Sequence, residues 1–446
     1  MGREKGGAFM RKKSLASFGL SIMALSVISA CSGTKEPEAT KAKDVPATAD
    51  TPVKVSADPV TLKFAINFSW LSEEERNKYI VEPVKKKYPN ISFEFINLTE
   101  TPLDKIVATG TIPDIVQSAS PIIYTFTDLG LADNIEPFVK SHKFDTSKIN
   151  KQGLDAVKIT SGNDYLIGLP WTISFNATYY NRDIFDKFGV GYPKDGMTWD
   201  EMRDMALKLT RKDGQTQYRG LEPDVPSRMA SVLSLGFVDT KTNKATLDTE
   251  GWKRIFAYMK SVYDIPGNEN YRWVPSAFDQ FIKERTLAMY PGLNHFPNFK
   301  GVEGINWDIV QYPQFKDKPN TGMQVDEWIL HITKQSKFKD QAFQVISTIL
   351  SDDVQAEMSR NARFPIVSTK AIQDEFGKNI PYLQGKNLKS IFLSQPAAPV
   401  PPSKDGAYGQ TLSQEAFKKV MKDGVDINSA LREADEMLNK KIAESK

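Results

Sequence analysis

The sequence predicts an α/β fold built in two lobes, and its length and patterning lead to this prediction. The chain has 446 residues, which is more than a single hydrophobic core usually serves. Strand-like and helix-like segments alternate along it, beginning with an apolar stretch over 60–67. Capping boxes formed by Ser72 with Glu75 and by Thr198 with Glu201 mark two helix starts. Such alternation is typical of sheets covered by helices.

The elements after the first strand follow in order. A helix that begins at Ser72 should kink at Pro83, because proline cannot donate the helical hydrogen bond. Apolar residues alternate over 91–95 as in a strand, and a short helix over 103–109 leads to a strand over 112–116. Further helices are predicted over 198–209, 248–263, 275–283, 338–351, 383–392 and 426–444.

Residues 1–30 have the features of a lipoprotein signal peptide. Basic residues end at Lys13, and an apolar stretch over 15–30 runs directly into Cys31, the single cysteine of the chain. We interpret 28–31 as a lipobox, in which Cys31 becomes the lipid-modified first residue of the mature protein; the alternative is an isolated thiol in a cleaved peptide. No other apolar run reaches the roughly 18–20 residues that span a bilayer, so lipid alone is expected to anchor the chain.

The segment 31–58 is predicted to be the lipidated cysteine followed by a disordered tether. It has no aromatic residue and is rich in Lys, Glu, Ala, Thr, Pro and Asp, so it cannot bury enough apolar area to fold. A tether with a lipid anchor suits a protein held at the extracellular face of the cell membrane. We expect that location, in a Gram-positive bacterium.

The charge balance argues against a nucleic-acid partner. Of 58 basic and 55 acidic side chains, residues 1–30 hold five and one, so the remaining chain has a formal net charge of −1. A nearly neutral chain lacks the basic surface that nucleic acids require. The three histidines have no metal-ligand spacing, so neither a metal nor a cofactor is expected.

Several motifs, in order and spacing, carry a family resemblance. They are Tyr-Leu-Ile-Gly-Leu-Pro-Trp over 165–171, Tyr-Tyr-Asn-Arg-Asp-Ile-Phe over 179–185, Thr-Trp-Asp-Glu over 198–201, Ala-Thr-Gly-Thr-Ile-Pro-Asp-Ile-Val over 108–116 and Trp-Asp-Ile-Val-Gln-Tyr-Pro over 307–313. Together they resemble the family 1 extracellular solute-binding proteins, the carbohydrate-binding relatives of maltose-binding protein. The resemblance covers essentially all of 60–440.

The resemblance implies a type II periplasmic-binding-protein-like fold, with a helix-flanked β-sheet in each lobe and a ligand cleft between the lobes. One lobe should contain 59–170 and 325–370, and the other 171–324 and 371–446. The protein would be the substrate-binding component of an ABC importer, capturing a sugar or oligosaccharide by hinge closure and delivering it to the membrane permease. Its partners would be the carbohydrate, the ABC permease subunits and, through the lipid at Cys31, the membrane. We expect a monomer.

Candidate ligand-binding residues lie where predicted strands end or where the chain crosses between lobes, since ligands bind at the carboxyl ends of strands in open α/β sheets. A sugar needs flat rings for its apolar faces and polar side chains for its hydroxyls. The candidates are Trp70, Ser118, Trp171, Ser174, Asn176, Asn294, Asp326, Trp328 and Arg363. The alternatives are hinge packing for Trp171 and a surface ion pair for Arg363. The tryptophans expected in the core are Trp199, Trp252 and Trp307.

Two other classes of function remain open. A secreted carbohydrate-active enzyme would need two carboxyl groups roughly 5–10 Å apart, and no acid/base segment, nucleophile elbow or Walker loop is recognisable. A binding protein of the same fold for a peptide or a metal is the other alternative. A peptide binder would need charged partners for both termini, and a metal binder would need clusters of His, Tyr or Asp.

Overall fold

The computed structural model describes residues 55–269, 276–367 and 369–445. The predicted signal peptide, Cys31 and nearly all of the predicted tether lie outside the described residues. Within those ranges, no helix is both long enough and apolar enough to cross a membrane.

The described strands belong to two five-stranded sheets and two small two-stranded sheets. They are β1 (Val60–Ile66), β2 (Ile91–Asn97), β3 (Ile115–Ala119), β4 (Leu169–Ile173), β5 (Asn176–Asn181), β6 (Arg211–Asp213), β7 (Thr216–Leu221), β8 (Val238–Asp239), β9 (Lys244–Ala245), β10 (Leu287–Leu293), β11 (Trp307–Gln311), β12 (Thr321–Gln324), β13 (Glu327–Ile332) and β14 (Gln395–Ala397).

Helices cover the sheets and fill the C-terminal part of the chain. The α-helices are α1 (Glu73–Arg76), α2 (Glu82–Lys87), α3 (Leu103–Ala108), α4 (Tyr124–Thr127), α5 (Glu136–Ser141), α6 (Lys151–Ser161), α7 (Arg182–Phe188), α8 (Trp199–Leu209), α9 (Pro226–Val232), α10 (Glu250–Tyr263), α11 (Ser276–Asp279), α12 (Lys339–Ile349), α13 (Asp352–Arg360), α14 (Lys370–Gln373), α15 (Gly406–Lys422) and α16 (Ile427–Glu444). Single π-helical turns occur at Asn77–Val81 and Gln280–Glu284. The 3₁₀ turns are Ser120–Ile122, Thr146–Lys148, Phe296–Phe299, Pro381–Leu383 and Leu388–Phe392.

The sheet of lobe 1 has the strand order β2-β1-β3-β13-β4. Strands β1, β2 and β3 are parallel, and β13 runs antiparallel to its neighbours β3 and β4. Helix α6 packs against β4, and α12 packs against β13. The apolar side chains between the sheet and the helices form one core. Leu62, Phe64 and Ile329 are among the side chains that are completely buried in it.

The sheet of lobe 2 has the strand order β11-β5-β10-β7-β6. Strand β5 is antiparallel to β10 and β11, and β10 is parallel to β7. An aromatic core covers this sheet; in it the rings of Phe299 and Trp307 are stacked at 3.8 Å. Two α/β lobes result, each with its own sheet and core, as the sequence predicts.

The chain passes between the sheets at three places. Strand β4 of lobe 1 ends at Ile173, and β5 of lobe 2 begins at Asn176. The return to lobe 1 occurs between β12 and β13. The third passage follows Pro365, which forms an isolated bridge with Thr172, and leads to Phe376 in the aromatic core of lobe 2.

Gln355, on α13, joins two of these passages. Its side-chain Nε2 donates to the backbone carbonyl of Trp171 at 3.1 Å, on the strand that leads into the first passage. Its Oε1 accepts from the backbone N–H of Ile366 at 3.0 Å and of Val367 at 3.4 Å, at the start of the third. The Gln355 side chain is completely buried, so these contacts are shielded from water.

Most of the local predictions are confirmed, and one helix prediction is wrong. Both capping boxes form, with reciprocal bonds between Ser72 and Glu75 and between Thr198 and Glu201. Segment 383–392 is not an α-helix, because Gly385 adopts a φ of +77° between two 3₁₀ turns. The tryptophans predicted to be in the core are all buried: Trp199, Trp252 and Trp307.

Replacement of Gly220 by alanine is expected to lower the free energy of unfolding by about 2–4 kcal/mol. A Cβ at this position of β7 would overlap backbone atoms of Ala206 on α8, and backbone cannot rotate away as a side chain can. Chemical denaturation measures the change. Gly191→Ala is the matched control, since a Cβ there meets open space. Equal stability of the two variants would contradict this account of helix–sheet packing.

Candidate functional site

The carboxyl ends of the lobe 1 strands meet at one edge of the sheet. Strands β1, β3 and β4 end there at Ile66, Ala119 and Ile173, and the antiparallel β13 begins there at Glu327. Ligands of open α/β sheets bind outside such an edge. Most of the predicted ligand-binding residues lie within a few residues of these strand ends.

Trp70, Trp171 and Trp328 pack together at this edge and are called the tryptophan cluster below. The rings of Trp70 and Trp328 are stacked, with centroids 4.4 Å apart and planes 25° apart. Trp171 meets Trp70 edge-on at 5.5 Å and 78°. Both geometries are favoured for aromatic pairs. Trp70 and Trp328 are half-buried, so the stacked pair keeps part of its surface exposed.

Trp171 is not exposed to the cleft, which corrects the expectation that its ring contacts a ligand. Its side chain is completely buried and belongs to the core of lobe 1. Trp70 packs against it. The role that the structure assigns to Trp171 is therefore support of Trp70, which is the packing alternative of the sequence analysis.

Arg363 is held by protein partners, whereas the sequence analysis predicted that its guanidinium reaches a ligand. Its Nε donates to Glu75 Oε1 at 2.8 Å, and its Nη2 donates to Glu75 Oε2 at 3.0 Å and to the Trp70 carbonyl at 2.7 Å. The guanidinium carbon lies 4.6 Å from the centroid of the Trp70 ring. The structure therefore shows the ion pair that was the alternative for Arg363, with Glu75 as its partner, and it also shows a contact between the guanidinium and the Trp70 ring.

A cavity of about 500 Å³, called the tryptophan cavity below, lies beside Trp328. Its lining residues are Asn67, Leu98, Pro102, Leu103, Asp104, Gln117, Ser118, Ala119, Ile122, Tyr124, Thr125, Asp128, Leu129, Trp328 and Lys404. This volume falls within the range of roughly 300–1,000 Å³ that is typical of small-molecule sites. The side-chain Nε2 of Gln117 is buried and has no hydrogen-bond partner among the described residues. Gln117, one of the lining residues, therefore keeps a side-chain N–H donor that no described residue uses.

A second cavity of about 280 Å³, called the proline cavity, has walls from both lobes. Ile122 and Tyr124 line both cavities, which are therefore adjacent. The lobe 2 side of the proline cavity includes Ser227, Ser231, Leu235, Phe237, Pro399, Val400, Pro401, Pro402 and Gln410. Just after this proline-rich segment, Lys404 forms an ion pair with Asp128 of lobe 1 at 2.8 Å. The two cavities together form the cleft between the lobes.

Ser118 lines the tryptophan cavity, but its hydroxyl already has a partner. Its Oγ lies 2.7 Å from His331 Nε2, and His331 Nδ1 lies 2.9 Å from the Ile167 carbonyl. Burial lowers the pKa of His331 to about 4, so this imidazole is neutral at physiological pH. A neutral ring that donates through Nδ1 accepts at Nε2, so Ser118 donates to it and keeps its oxygen lone pairs for another donor.

Ser174, Asn176 and Asp326 lie together in a small pocket of about 50 Å³ at the first two passages between the lobes. The Ser174 backbone N–H donates to the Asp326 carbonyl at 2.9 Å, which joins the two passages. Burial raises the pKa of the Asp326 carboxyl, and a hydrogen bond with the Ser174 side chain opposes this rise. These three predicted site residues are thus grouped, at the hinge rather than beside Trp328.

Asn294 belongs to neither group. Its Oδ1 accepts from the backbone N–H of Phe296 at 3.0 Å and so stabilises the start of a 3₁₀ turn. In this structure the Asn294 side chain therefore binds the first residue of that turn.

Sequence reasoning missed a polar group at the carboxyl edge of the lobe 2 sheet. Asp224 follows β7, and its carboxylate accepts from Arg228 Nε at 2.6 Å and from the Tyr312 hydroxyl at 2.9 Å. The nearby Tyr290 hydroxyl is buried without a hydrogen-bond partner in the described part of the chain. The run Leu-Glu-Pro-Asp over 221–224, in which two acidic residues flank a proline, is the signal that would have found this group.

Glu327, at the start of β13, is a completely buried carboxyl group. Burial raises its pKa to about 8, the Ser120 hydroxyl partly offsets this rise, and the neighbouring Asp326 adds to it. Glu327 is therefore protonated at neutral pH, as an isolated carboxyl in a low-dielectric interior must be.

Within 55–269, 276–367 and 369–445, no group of three or more His, Cys, Asp or Glu side chains is arranged to hold a metal ion.

Comparison with known proteins agrees with this architecture. A Brucella abortus (strain 2308) protein described as a binding protein is 24% identical over 321 residues, which is 67% of this chain and 75% of that protein. An ABC substrate-binding protein from Listeria monocytogenes, solved in complex with cycloalternan, has a TM-score of 0.66 at 20% identity, covering 86% of this chain and 100% of that one. An open conformation of a sugar transporter from Rhizobium etli has a TM-score of 0.70 at 20% identity, covering 85% of this chain and 99% of that one.

The family assignment rests on a match to a family model. Residues 80–384, which include both five-stranded sheets in large part and most of the cleft, match the model described as bacterial extracellular solute-binding protein. The match spans more than half of the chain, and the two-lobed fold of the structural relatives is the same. This chain belongs to the bacterial extracellular solute-binding proteins.

Proposed function

We propose that the protein is the substrate-binding component of an ABC importer, which captures a sugar or an oligosaccharide in the cleft between its lobes. One observation carries the proposal: the half-buried ring of Trp328, stacked on Trp70, lines a cavity of about 500 Å³. The apolar face of a pyranose packs against such rings, and its hydroxyls need the amide and hydroxyl groups of residues such as Gln117 and Ser118. The sugar ligands of the structural relatives agree with this.

The charges of the cleft fit a neutral ligand better than a peptide. Lys404 and Asp128 line the tryptophan cavity and neutralise each other as an ion pair, and Asp104, the third charged lining residue, lies 3.8 Å from the ammonium of Lys105. A peptide needs separate unpaired charges for its two termini. Delivery to permease subunits follows from membership of the family, and binding without chemical change is the expected activity.

A screen of glycans tests this function. The chain from Ser32 onward would be titrated with mono- and oligosaccharides while its thermal unfolding is followed. A ligand at one hundred times its dissociation constant stabilises the folded state by about 2.7 kcal/mol, which is readily detected. A shift with one sugar, recovered chemically intact, supports a binding protein. Cleavage of the sugar would favour the enzyme alternative, and a shift with peptides or metals only would overturn the ligand class.

The same proposal places the protein at the outer face of the membrane as a monomer, held by a lipid on Cys31 after cleavage of the signal peptide. Its support is the basic and apolar pattern of residues 1–30, which ends at the single cysteine. A Gram-positive host fits the predicted tether.

Replacement of Cys31 by alanine should release the protein from the membrane. The thioether bond to diacylglycerol requires the cysteine sulfur, so the variant has no attachment site. Fractionation of cells, with labelled fatty acid to follow lipid incorporation, measures the effect. Ser32→Ala is the matched control and should stay at the membrane with its lipid. Membrane retention of Cys31→Ala would mean that another anchor holds the chain.

A further inference from the structure

Arg363 contacts Trp70 in two ways, and an ion pair with Glu75 orients its guanidinium. Its Nη2 donates to the backbone carbonyl of Trp70 at 2.7 Å, which fixes the chain at that residue. Its Nε and Nη2 bind the two oxygens of Glu75, so the plane of the guanidinium is set by a bidentate ion pair. The guanidinium carbon then lies 4.6 Å from the centre of the Trp70 ring, a cation–π distance.

Glu75 is itself fixed by the capping box at the start of α1. Its Oε2 accepts from the Ser72 backbone N–H at 3.0 Å, while the Ser72 side chain accepts from the Glu75 backbone N–H at 3.2 Å. The carboxylate that orients Arg363 is therefore anchored to the same turn that carries Trp70. Arg363 and Glu75 are both about three-quarters buried, with side-chain exposures of 23% and 25%, so the pair is partly shielded from solvent.

Arg363 comes from a distant part of the chain that leads out of lobe 1. It follows α13 and Ala362, which has a φ of +59°, and its backbone N–H donates to the Met358 carbonyl at 2.9 Å. Two residues later Pro365 pairs with Thr172, and the chain then continues to the aromatic core of lobe 2. The contact with Trp70 thus links a segment that passes between the lobes to the aromatic wall of the cleft.

We infer that Arg363 is a positioning residue, which sets the stacking of Trp70 on Trp328 and through it the shape of the sugar-binding surface. It acts without touching the ligand. The consequence for binding rests on the proposed function, whereas the effect on the ring stack does not.

Arg363→Met tests the inference, since methionine keeps apolar bulk but loses the guanidinium. Stacked indoles give an exciton couplet in the far-ultraviolet circular dichroism, and Trp328→Ala identifies the part that comes from this pair. We expect Arg363→Met to lose most of the couplet in the absence of any sugar, and Arg363→Lys to restore part of it through a single bond to Glu75. For the sugar found in the glycan screen, affinity should fall about fivefold to tenfold in Arg363→Met.

Arg360→Met is the matched control. Arg360 pairs with Glu357 and Glu375, has similar exposure, and packs on no aromatic ring of the described ranges. The Arg360→Met variant should leave both the exciton couplet and the affinity for the sugar unchanged. If Arg363→Met does not fold, Glu75→Gln removes the charge from the same pair and should weaken the same couplet. A wild-type couplet in a folded Arg363→Met overturns the inference even if a sugar binds. A lost couplet with no binding of any sugar supports it and overturns only the proposed function.

Discussion

Replacement of Trp328 by alanine is expected to weaken sugar binding by more than about tenfold while the protein stays folded. Trp328 lines the tryptophan cavity, and its ring supplies the flat apolar surface against which a pyranose packs. It is half-buried at the edge of the sheet, so its removal costs less core packing than removal of a fully buried ring. Calorimetric titration with the sugar identified by the glycan screen measures the affinity.

Two further variants separate ligand contact from packing. Phe338→Ala removes an exposed ring of lobe 1 that lines neither cavity, and affinity should not change. Trp171→Ala removes a completely buried ring and should lower the free energy of unfolding by about 3–5 kcal/mol. Wild-type affinity in Trp328→Ala would mean that the sugar does not stack on this ring, and the site would have to be sought elsewhere in the cleft.

Replacement of Glu327 by glutamine should stabilise the protein at alkaline pH, relative to the wild type, by on the order of 4 kcal/mol. The carboxyl has a pKa of about 8 in the folded protein, above its ordinary value of 4.5. Between these values the unfolded chain has released the proton and the folded chain retains it. The stability of the wild type is therefore complete below about pH 4.5 and decreases as pH rises to about 8. Glutamine does not titrate, so the stability of the variant does not decrease in this way as pH rises.

The measurement is the free energy of unfolding by urea from pH 4 to pH 9. The advantage of Glu327→Gln over the wild type should grow with pH and level off above pH 8. Glu357→Gln provides a control of opposite sign: the pKa of Glu357 is lowered, although burial acts to raise it, because Arg360 and Asn361 bind the carboxylate. That variant should be less stable than the wild type by an amount that is constant above about pH 4.5 and that shrinks as pH falls below this value. A difference for Glu327→Gln that is constant with pH would show that this carboxyl does not titrate abnormally.

Local signals in the sequence predicted what local interactions determine. The capping boxes at Ser72 and Thr198 form because both partners lie three residues apart. Trp70 and Trp328 were placed at the cleft because they lie next to strand ends, and the structure brings both to that edge. The helix prediction over 383–392 was wrong because the apolar residues of this segment suit a helix, whereas Gly385 adopts a left-handed conformation that a helix does not allow.

Contacts between distant segments were beyond the reach of the sequence. The partner of Arg363 is 288 residues away in the chain, and no pattern near either residue indicates the other. The burial of Trp171 in the core of lobe 1 could not be predicted from its position, since a residue near a strand end is equally able to face a cleft or a core. The first passage between sheets lies between Ile173 and Asn176, a few residues after the predicted boundary at 170, because β4 continues to pair with β13 up to Ile173. The division into lobes by residue ranges stays a prediction.

The contacts of Gln355 have a consequence for how the two lobes move. One buried amide binds the strand that leads into the first passage and the segment that begins the third, so neither can twist without the other. The Ser174–Asp326 bond couples the second passage to the first in the same way. Because the three passages are hydrogen-bonded to one another, they should move as one unit and not as three independent segments. We expect such a joint to favour rotation of the lobes about one axis over sliding of one lobe past the other.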